Sequence, residues 1–386
     1  MLKLSIGGDL MCLQQETEAV CQRFGKPDYS SYLSGLKPLF SDCDYAIANL
    51  ETPIDSTQGE IDFALQFNTP REFVATLKSV GFNFFSTANN HCLDRGVGGL
   101  CKTLDVLDEL GFEHSGTYQT REEADEIFVK EIKGVKFAIV CSTFGTNSQI
   151  NGIMLPPDEE WRIDLLRKQM KFRKLPQVVD VAEGNFKTYI ADEVSSAAIS
   201  NPVNLVYMKR MLDKVRKAKA LSDIVIAMPH VGGQYNPGPA AYTKWVVEEL
   251  RLAGADIIIA GHSHTPHRCE MIDGCFIAYS LGNLAFTPGV GWFVPNVLAE
   301  YGVVLNLFID TERKRLSSVS FSVLKSFVDD DGLAHVRSVD DVMAQLRNAP
   351  AKDRLEMEVE EVIHRIGGRQ FGVLREYALP LEVEEF

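Results

Sequence analysis

GFNFFSTANNHCLDRG, residues 81–96, sets a largely apolar run directly against a cluster of amide, imidazole, thiol and carboxylate side chains. The run is too short for a helix and reads as a strand, so the polar cluster falls at its carboxyl end. The same grammar recurs along the chain in LKLSIGG (2–8), DYAIANL (44–50), KFAIVCST (136–143), DIVIAMPH (223–230), ADIIIAGH (255–262) and CFIAYSLGN (275–283). Continuous rather than alternating hydrophobicity predicts strands covered on both faces. Helical patterns lie between them. TPREFVATLKSVG has Thr69 as candidate N-cap, Pro70 at the first helical position and Gly81 as stop. GGLCKTLDVLDELG and AAYTKWVVEELRLAG bring apolar residues round at helical spacing before a terminal Gly. The alternation predicts an α/β architecture.

In open α/β sheets, parallel strand ends converge on one edge, where ligands bind. The residues standing there are Asp9, Asn49 and Glu51, Asn89, Asn90 and His91, His230, His262 and His264, and Asn283. A lone Asp or Asn at a strand end is ordinarily a turn or cap residue. GHSH (261–264) is different, because His at i and i+2 share one side of an extended segment and Gly261 permits a tight turn before them. That pair points to metal. His267 reads as a loop or rim residue, and His114, His335 and His364, which lie outside these strand-end signals, read as ordinary.

The bulk composition sets limits. The chain has 386 residues, 45% of them hydrophobic, and 39 Lys and Arg against 53 Asp and Glu give a net charge of -14. That balance opposes a nucleic-acid partner, which would need many cationic phosphate contacts. The eight cysteines form no CxxC pair, which argues against a disulfide scaffold and a zinc knuckle and favours reduced, packed thiols. The start MLKLSIGGDLM reads as a strand rather than a leader, and no apolar run is long enough to span a bilayer, so a cytoplasmic protein without an integral membrane segment is expected. Residues 1–325 form the expected main domain, interrupted at about 145–200 by an insertion or lid; GVVLNLFID and RLSSVSFSVLKSF look like a hairpin, and 326–386 like a C-terminal extension of two surface helices. The sequence leaves room for a homo-oligomer.

GGDLM (7–11), ANLETPI (48–54), FNTP (67–70), ANNHCLDRG (88–96), PHVGGQY (229–235), GHSHTPH (261–267) and YSLGNL (279–284) occur in an order that resembles the bacterial capsule synthesis family associated with poly-γ-glutamate, itself similar to the calcineurin-like metallophosphoesterases. The resemblance covers about residues 3–288 apart from the insertion. It implies a four-layer α/β/β/α sandwich with a two-metal centre on one rim. It makes Asp9 the first metal aspartate, Glu51 the bridging carboxylate, Asn90 an amide ligand, His91 the catalytic histidine, and His230, His262 and His264 the remaining metal ligands. Three departures stand out. Met11 occupies the histidine position of the wider superfamily's DxH, and a thioether suits a hard cation poorly. Gln234 and Val231 replace the Glu and Trp that the family commonly carries in PHVGGQY.

The resemblance implies two divalent cations, and the mixed oxygen and nitrogen donor set suits Mn, Fe or Zn better than Ca. The expected chemistry is metal-assisted hydrolysis of a phosphoester in a small or polymeric anionic substrate, with His91 as general acid toward the leaving oxygen. Asp94 either orients His91 or caps the following helix. Arg95 and Asn49 are candidate substrate-binding residues; Tyr235, Phe286 and Trp292 either line a substrate wall or simply pack. Two other readings stay open: a non-hydrolytic metal-binding factor in polyglutamate or capsule assembly, and an amide hydrolase using the same activated water.

Overall fold

The computed structural model describes residues 1–54, 66–171, 196–288 and 297–381. Four parallel strands, β1 (Leu2–Leu10), β2 (Tyr45–Leu50), β3 (Phe84–Ser86) and β4 (Glu113–Ser115), lie side by side in one sheet. A second sheet holds β5 (Phe128–Ile132), β6 (Val135–Thr143), β7 (Ile224–His230), β8 (Ile257–Ile259), β9 (Cys269–Ile272) and β10 (Cys275–Ala278), in the order β5-β6-β7-β8-β10-β9, with antiparallel strands only at its two edges. The chain then returns to the first sheet. There β11 (Asn283–Ala285) joins the end of β1, while β12 (Tyr301–Asp310), β13 (Arg315–Val328), β14 (Ala334–Ser338) and β15 (Tyr377–Leu379) extend the other side antiparallel.

Every residue of β2 and β7 is buried, as strands sandwiched on both faces require. Three apolar clusters define the layers. One packs the first sheet against the helices Gln14–Phe24, Arg71–Val80 and Gly96–Glu109, through residues such as Val20, Phe73, Leu77, Leu104 and Phe85. A second lies between the sheets, where Leu4 and Ile6 share a cluster with Phe137, Ile139 and Ile226. The third packs the second sheet against Pro202–Leu221 and Ala241–Ala253. Helix, sheet, sheet, helix: the four-layer α/β/β/α sandwich expected from the motifs is the fold.

Local departures have local causes. The helix expected to start at Pro70 starts at Arg71; Pro70 keeps an extended ψ of 147° as its N-cap, and Thr69 does not cap it but donates its hydroxyl to Cys12 O at 3.2 Å. Residue 325 lies inside β13, and the stretch beyond it supplies β14 and β15 as well as the helices Val339–Gln345 and Ala349–Ile366. The second of these helices is amphipathic rather than simply superficial, burying Leu355, Val359, Val362, Ile363 and Ile366 in the inter-sheet cluster. The described part of the insertion is packed: Asp164 is buried, with Lys214 Nζ 2.6 Å from one oxygen and Tyr118 OH donating to the other at 2.7 Å. Residues 172–195 of it, and Trp292, lie outside the described residues. All eight thiols are free. No helix among the described residues is long and apolar enough to cross a membrane.

Candidate metal centre

β1 changes partners within a few residues, and that change aims Asp9. Leu2 to Ile6 pair with β12, whereas Asp9 and Leu10 pair with β11. Gly7 and Gly8 make the switch, because a Cβ on Gly8 would stand 2.0 Å from Gly282 O. Glu51 follows the last residue of β2, Asn90 and His91 follow β3, His230 is the last residue of β7, and His262 and His264 follow β8. Ends of parallel strands from both sheets thus meet at one place, and all of these side chains are buried.

The GHSH pair reaches that place by a different route from the one its spacing suggests. His262 and His264 are not extended; both are left-handed, with φ of 88° and 56°. Two such bends, uncommon for residues with a Cβ, bring both rings inward. Gly261 serves close approach rather than a turn, since a Cβ there would meet Asp9 Oδ1 at 3.1 Å and His230 Nδ1 at 3.4 Å.

Among the described residues, two groups of ligand-type atoms each gather within 4.8 Å, Asp9 with Glu51 and His230, and Glu51 with His262 and His264. Glu51 is common to both, the position that a bridging carboxylate needs. Glu51 Oε1 is 3.3 Å from His230 Nε2 and 3.7 Å from His264 Nε2, and Asp9 Oδ2 is 3.5 Å from His264 Nδ1. Asn90 Oδ1 lies 2.8 Å from His230 Nε2, adding a neutral oxygen.

Charge and burial conflict at this centre in a way that a cation resolves. Among the described residues, neither oxygen of Glu51 has a hydrogen-bond donor, although the residue is fully buried. Burial, reinforced by the charge of Asp9, pushes its pKa up to about 8. Burial also acts on Asp9, but there His230, His264 and the Asn49 amide outweigh it and hold the carboxyl below its usual range. His264 is pushed down by burial, against the pull of Glu51 and Asp9, which favours the neutral imidazole that ligates. A buried carboxylate without donors is expensive unless it is paired or bound to metal. Three imidazoles, two carboxylates and an amide oxygen around it fit divalent cations of the Mn, Fe or Zn kind.

His91 stands apart from these groups and has its own partner. Its Nδ1 lies 2.6 Å from Asp94 Oδ2, and Phe67 N–H donates to the same oxygen at 2.8 Å. Of the two roles open to Asp94, the geometry fits orientation of His91; the helix Gly96–Glu109 has no side-chain cap. Burial raises the Asp94 pKa, countered by His91. The Phe67 ring lies on the imidazole, with centroids 3.8 Å apart and planes 6° from parallel. Asn89 links this pair to the carboxylates, accepting from His91 N–H at 3.1 Å and donating to Asn49 Oδ1 at 3.2 Å.

Other candidates fall elsewhere. Asn49 is buried and donates to Asp9 Oδ1 at 2.8 Å. Arg95, at the N-cap position after Asp94, is partly exposed, and its guanidinium has no ion pair among the described residues. Met11 packs with Leu13, Phe67 and Phe286 in an apolar cluster, which takes its sulfur and the Phe286 ring into packing. Tyr235 is buried as well, with its ring 5.9 Å from that of His264. His267 is not a rim residue: it is buried, its Nε2 lies 2.7 Å from Asn236 O, and burial pushes its pKa down to about 4. Phe67 and Asn283 received no role from the sequence, although FNTP and LGN mark their positions. The start of the insertion also reaches the site, where Asn147 Oδ1 accepts from Asn90 Nδ2 at 3.2 Å and Asn151 Nδ2 donates to Asp94 Oδ1 at 3.3 Å.

The chain is similar to known proteins over most of its length. The chain is 24% identical over 315 residues to the PGA biosynthesis protein CapA of Bacillus subtilis (strain 168), covering 79% of this chain and 69% of that protein. It is 22% identical over 311 residues to the capsule biosynthesis protein CapA of Bacillus anthracis, covering 78% of this chain and 63% of that protein. An uncharacterized protein, y4sH, of Sinorhizobium fredii (strain NBRC 101917 / NGR234) is 28% identical over 290 residues, 66% of this chain and 61% of that one. Residues 3–288, which contain every residue of the candidate centre, match the bacterial capsule synthesis protein family PGA_cap, and the chain belongs to that family.

Proposed function

We propose that this chain is a metal-dependent hydrolase of the phosphoesterase type, acting on an anionic substrate in capsule or poly-γ-glutamate assembly. The observation that supports this most strongly is Glu51, buried, without a donor among the described residues, and shared by two groups of ligand-type atoms beside a separate His91–Asp94 pair. The names of the CapA relatives supply the biosynthetic context. Asp9, Glu51, Asn90, His230, His262 and His264 would hold the cations. Bound divalent metal supplies Lewis acidity and a water acidic enough to attack near neutral pH.

The chain's own residues account for the rest. Asp94 holds the proton on His91 Nδ1, which leaves Nε2 as the nitrogen that protonates the departing oxygen. Asn49 fixes the direction of Asp9, and Asn89 keeps His91 in register with it. Arg95, partly exposed next to Asp94, is the nearest cation in sequence to offer a substrate phosphate.

Metal analysis of the purified protein, with turnover of p-nitrophenyl phosphate and its bis ester in added manganese, tests this reading. We expect stoichiometric divalent metal, ester turnover, and a fall in kcat of about 10²- to 10⁴-fold in His91→Ala. Absence of metal and of ester turnover would defeat the proposal. Cleavage of a γ-glutamyl amide with no ester cleavage would replace the substrate class while keeping the centre.

A further inference from the structure

We infer that Phe67 is the positioning residue of the proton donor, a role that rests on the reading of His91 as general acid. Three features of the geometry carry it. The Phe67 ring covers one face of the imidazole in near-parallel contact, 3.8 Å between centroids and 6° between planes. Its backbone N–H is the second donor to Asp94 Oδ2, the oxygen that lies 2.6 Å from His91 Nδ1. The ring itself is buried, held by Met11, Leu13 and Phe286.

Together these fix both degrees of freedom that matter to an imidazole donating a proton. The Asp94 carboxylate sets which nitrogen carries the bound hydrogen, and the N–H of Phe67 stops that carboxylate from rotating away. The stacked ring stops the imidazole from turning about its Cβ–Cγ bond, because any large rotation would drive its edge into the phenyl face. An aromatic face also attracts a cation, so the protonated ring is not penalised by its apolar cover. Met11 acquires a reason as well. Where a histidine would bring a polar ring, the thioether packs in the same apolar cluster as Phe67.

The discriminating experiment uses leaving groups of different basicity. p-Nitrophenolate departs with little need of a proton, whereas phenolate needs one, so loss of an aligned acid is felt chiefly on phenyl phosphate. Phe67→Leu keeps apolar bulk but removes the flat face; Phe67→Tyr keeps the face. With metal content and thermal midpoint recorded for each variant, we expect Phe67→Leu to lose about tenfold more kcat on phenyl phosphate than on p-nitrophenyl phosphate at unchanged KM. Phe67→Tyr should recover to within about threefold of the parent, and His91→Ala should show the same selectivity at greater depth. Equal losses on both esters in Phe67→Leu, or no recovery in Phe67→Tyr, while His91→Ala still discriminates, would overturn the role of Phe67 and leave the acid intact. If His91→Ala itself does not discriminate, the general-acid reading fails, and the inference about Phe67 fails with it.

Discussion

Asn283 Oδ1 lies 3.0 Å from His264 Nδ1, while the amide N–H₂ of Asn283 donates to Ala299 O at 2.8 Å. The second contact fixes which end of the amide is oxygen, so His264 must carry its proton on Nδ1 and present Nε2 toward Glu51. Outer partners of ligating histidines typically matter 10- to 100-fold for metal affinity. Asn283→Ala should therefore weaken manganese binding by about that factor in a chelator competition, and Asn283→Asp, which keeps an acceptor, should lose less. Unchanged affinity in Asn283→Ala would remove the residue from the centre.

Glu51 gives a prediction whose sign changes with metal. Its carboxylate is buried without a donor among the described residues, so in metal-free protein the group opposes folding. Glu51→Gln should raise the stability of the metal-free form by about 1–3 kcal/mol in denaturant titrations. With saturating manganese the order should reverse, because binding to the native state stabilises the parent and much less the variant. A variant that gains as much from manganese as the parent would contradict the shared-ligand role.

Glu16 sets a pH dependence away from the centre. It is buried in the first turn of the helix Gln14–Phe24, and burial raises its pKa to about 7, against the Ala334 N–H and the Thr287 hydroxyl. The folded value exceeds the unfolded one, so this contribution to stability is present below the unfolded pKa and lost as pH rises through about 7. Glu16→Gln should match the parent near pH 4.5 and exceed it at pH 8 by about 1–3 kcal/mol. Equal stability curves across that range would show that Glu16 ionises freely in the fold.

Gly302 on β12 tests the return of the chain to β1. A Cβ there would stand 1.9 Å from Asn283 O, a backbone atom that cannot step aside. Gly302→Ala should cost about 2–4 kcal/mol in chemical denaturation and, by displacing Asn283, weaken metal binding too. Tolerance of the methyl group would mean that β11 is not held in this register.

The strands that carry Glu51, His91 and His230 were readable because a segment buried on both faces leaves a continuous apolar run, and a run that stops abruptly advertises its end. The backbone of GHSH was not readable. Its spacing suits an extended segment, yet the left-handed φ of His262 and His264 follows from the space between Asp9 and His230, which only the assembled sheets create. The pairing of β11 with β1 joins Asn283 to Asp9 across most of the chain, and no local pattern encodes such a contact. The stacking of Phe67 on His91 escaped for the same reason. β15 is three residues long and carries too little pattern to declare itself against the helical stretch before it.

The first sheet contributes Asp9 and Glu51, and the second contributes His230, His262 and His264. A cation seated among them would fasten two slabs that otherwise meet at this rim through hydrogen bonds such as Asn90 Oδ1 to His230 Nε2 and His262 N–H to Asp9 Oδ2, so its binding energy would become cohesion of the sandwich. Starvation for metal would then act on the lifetime of the molecule as well as on its turnover, and supply of the ion would set how much of this protein a cell can keep.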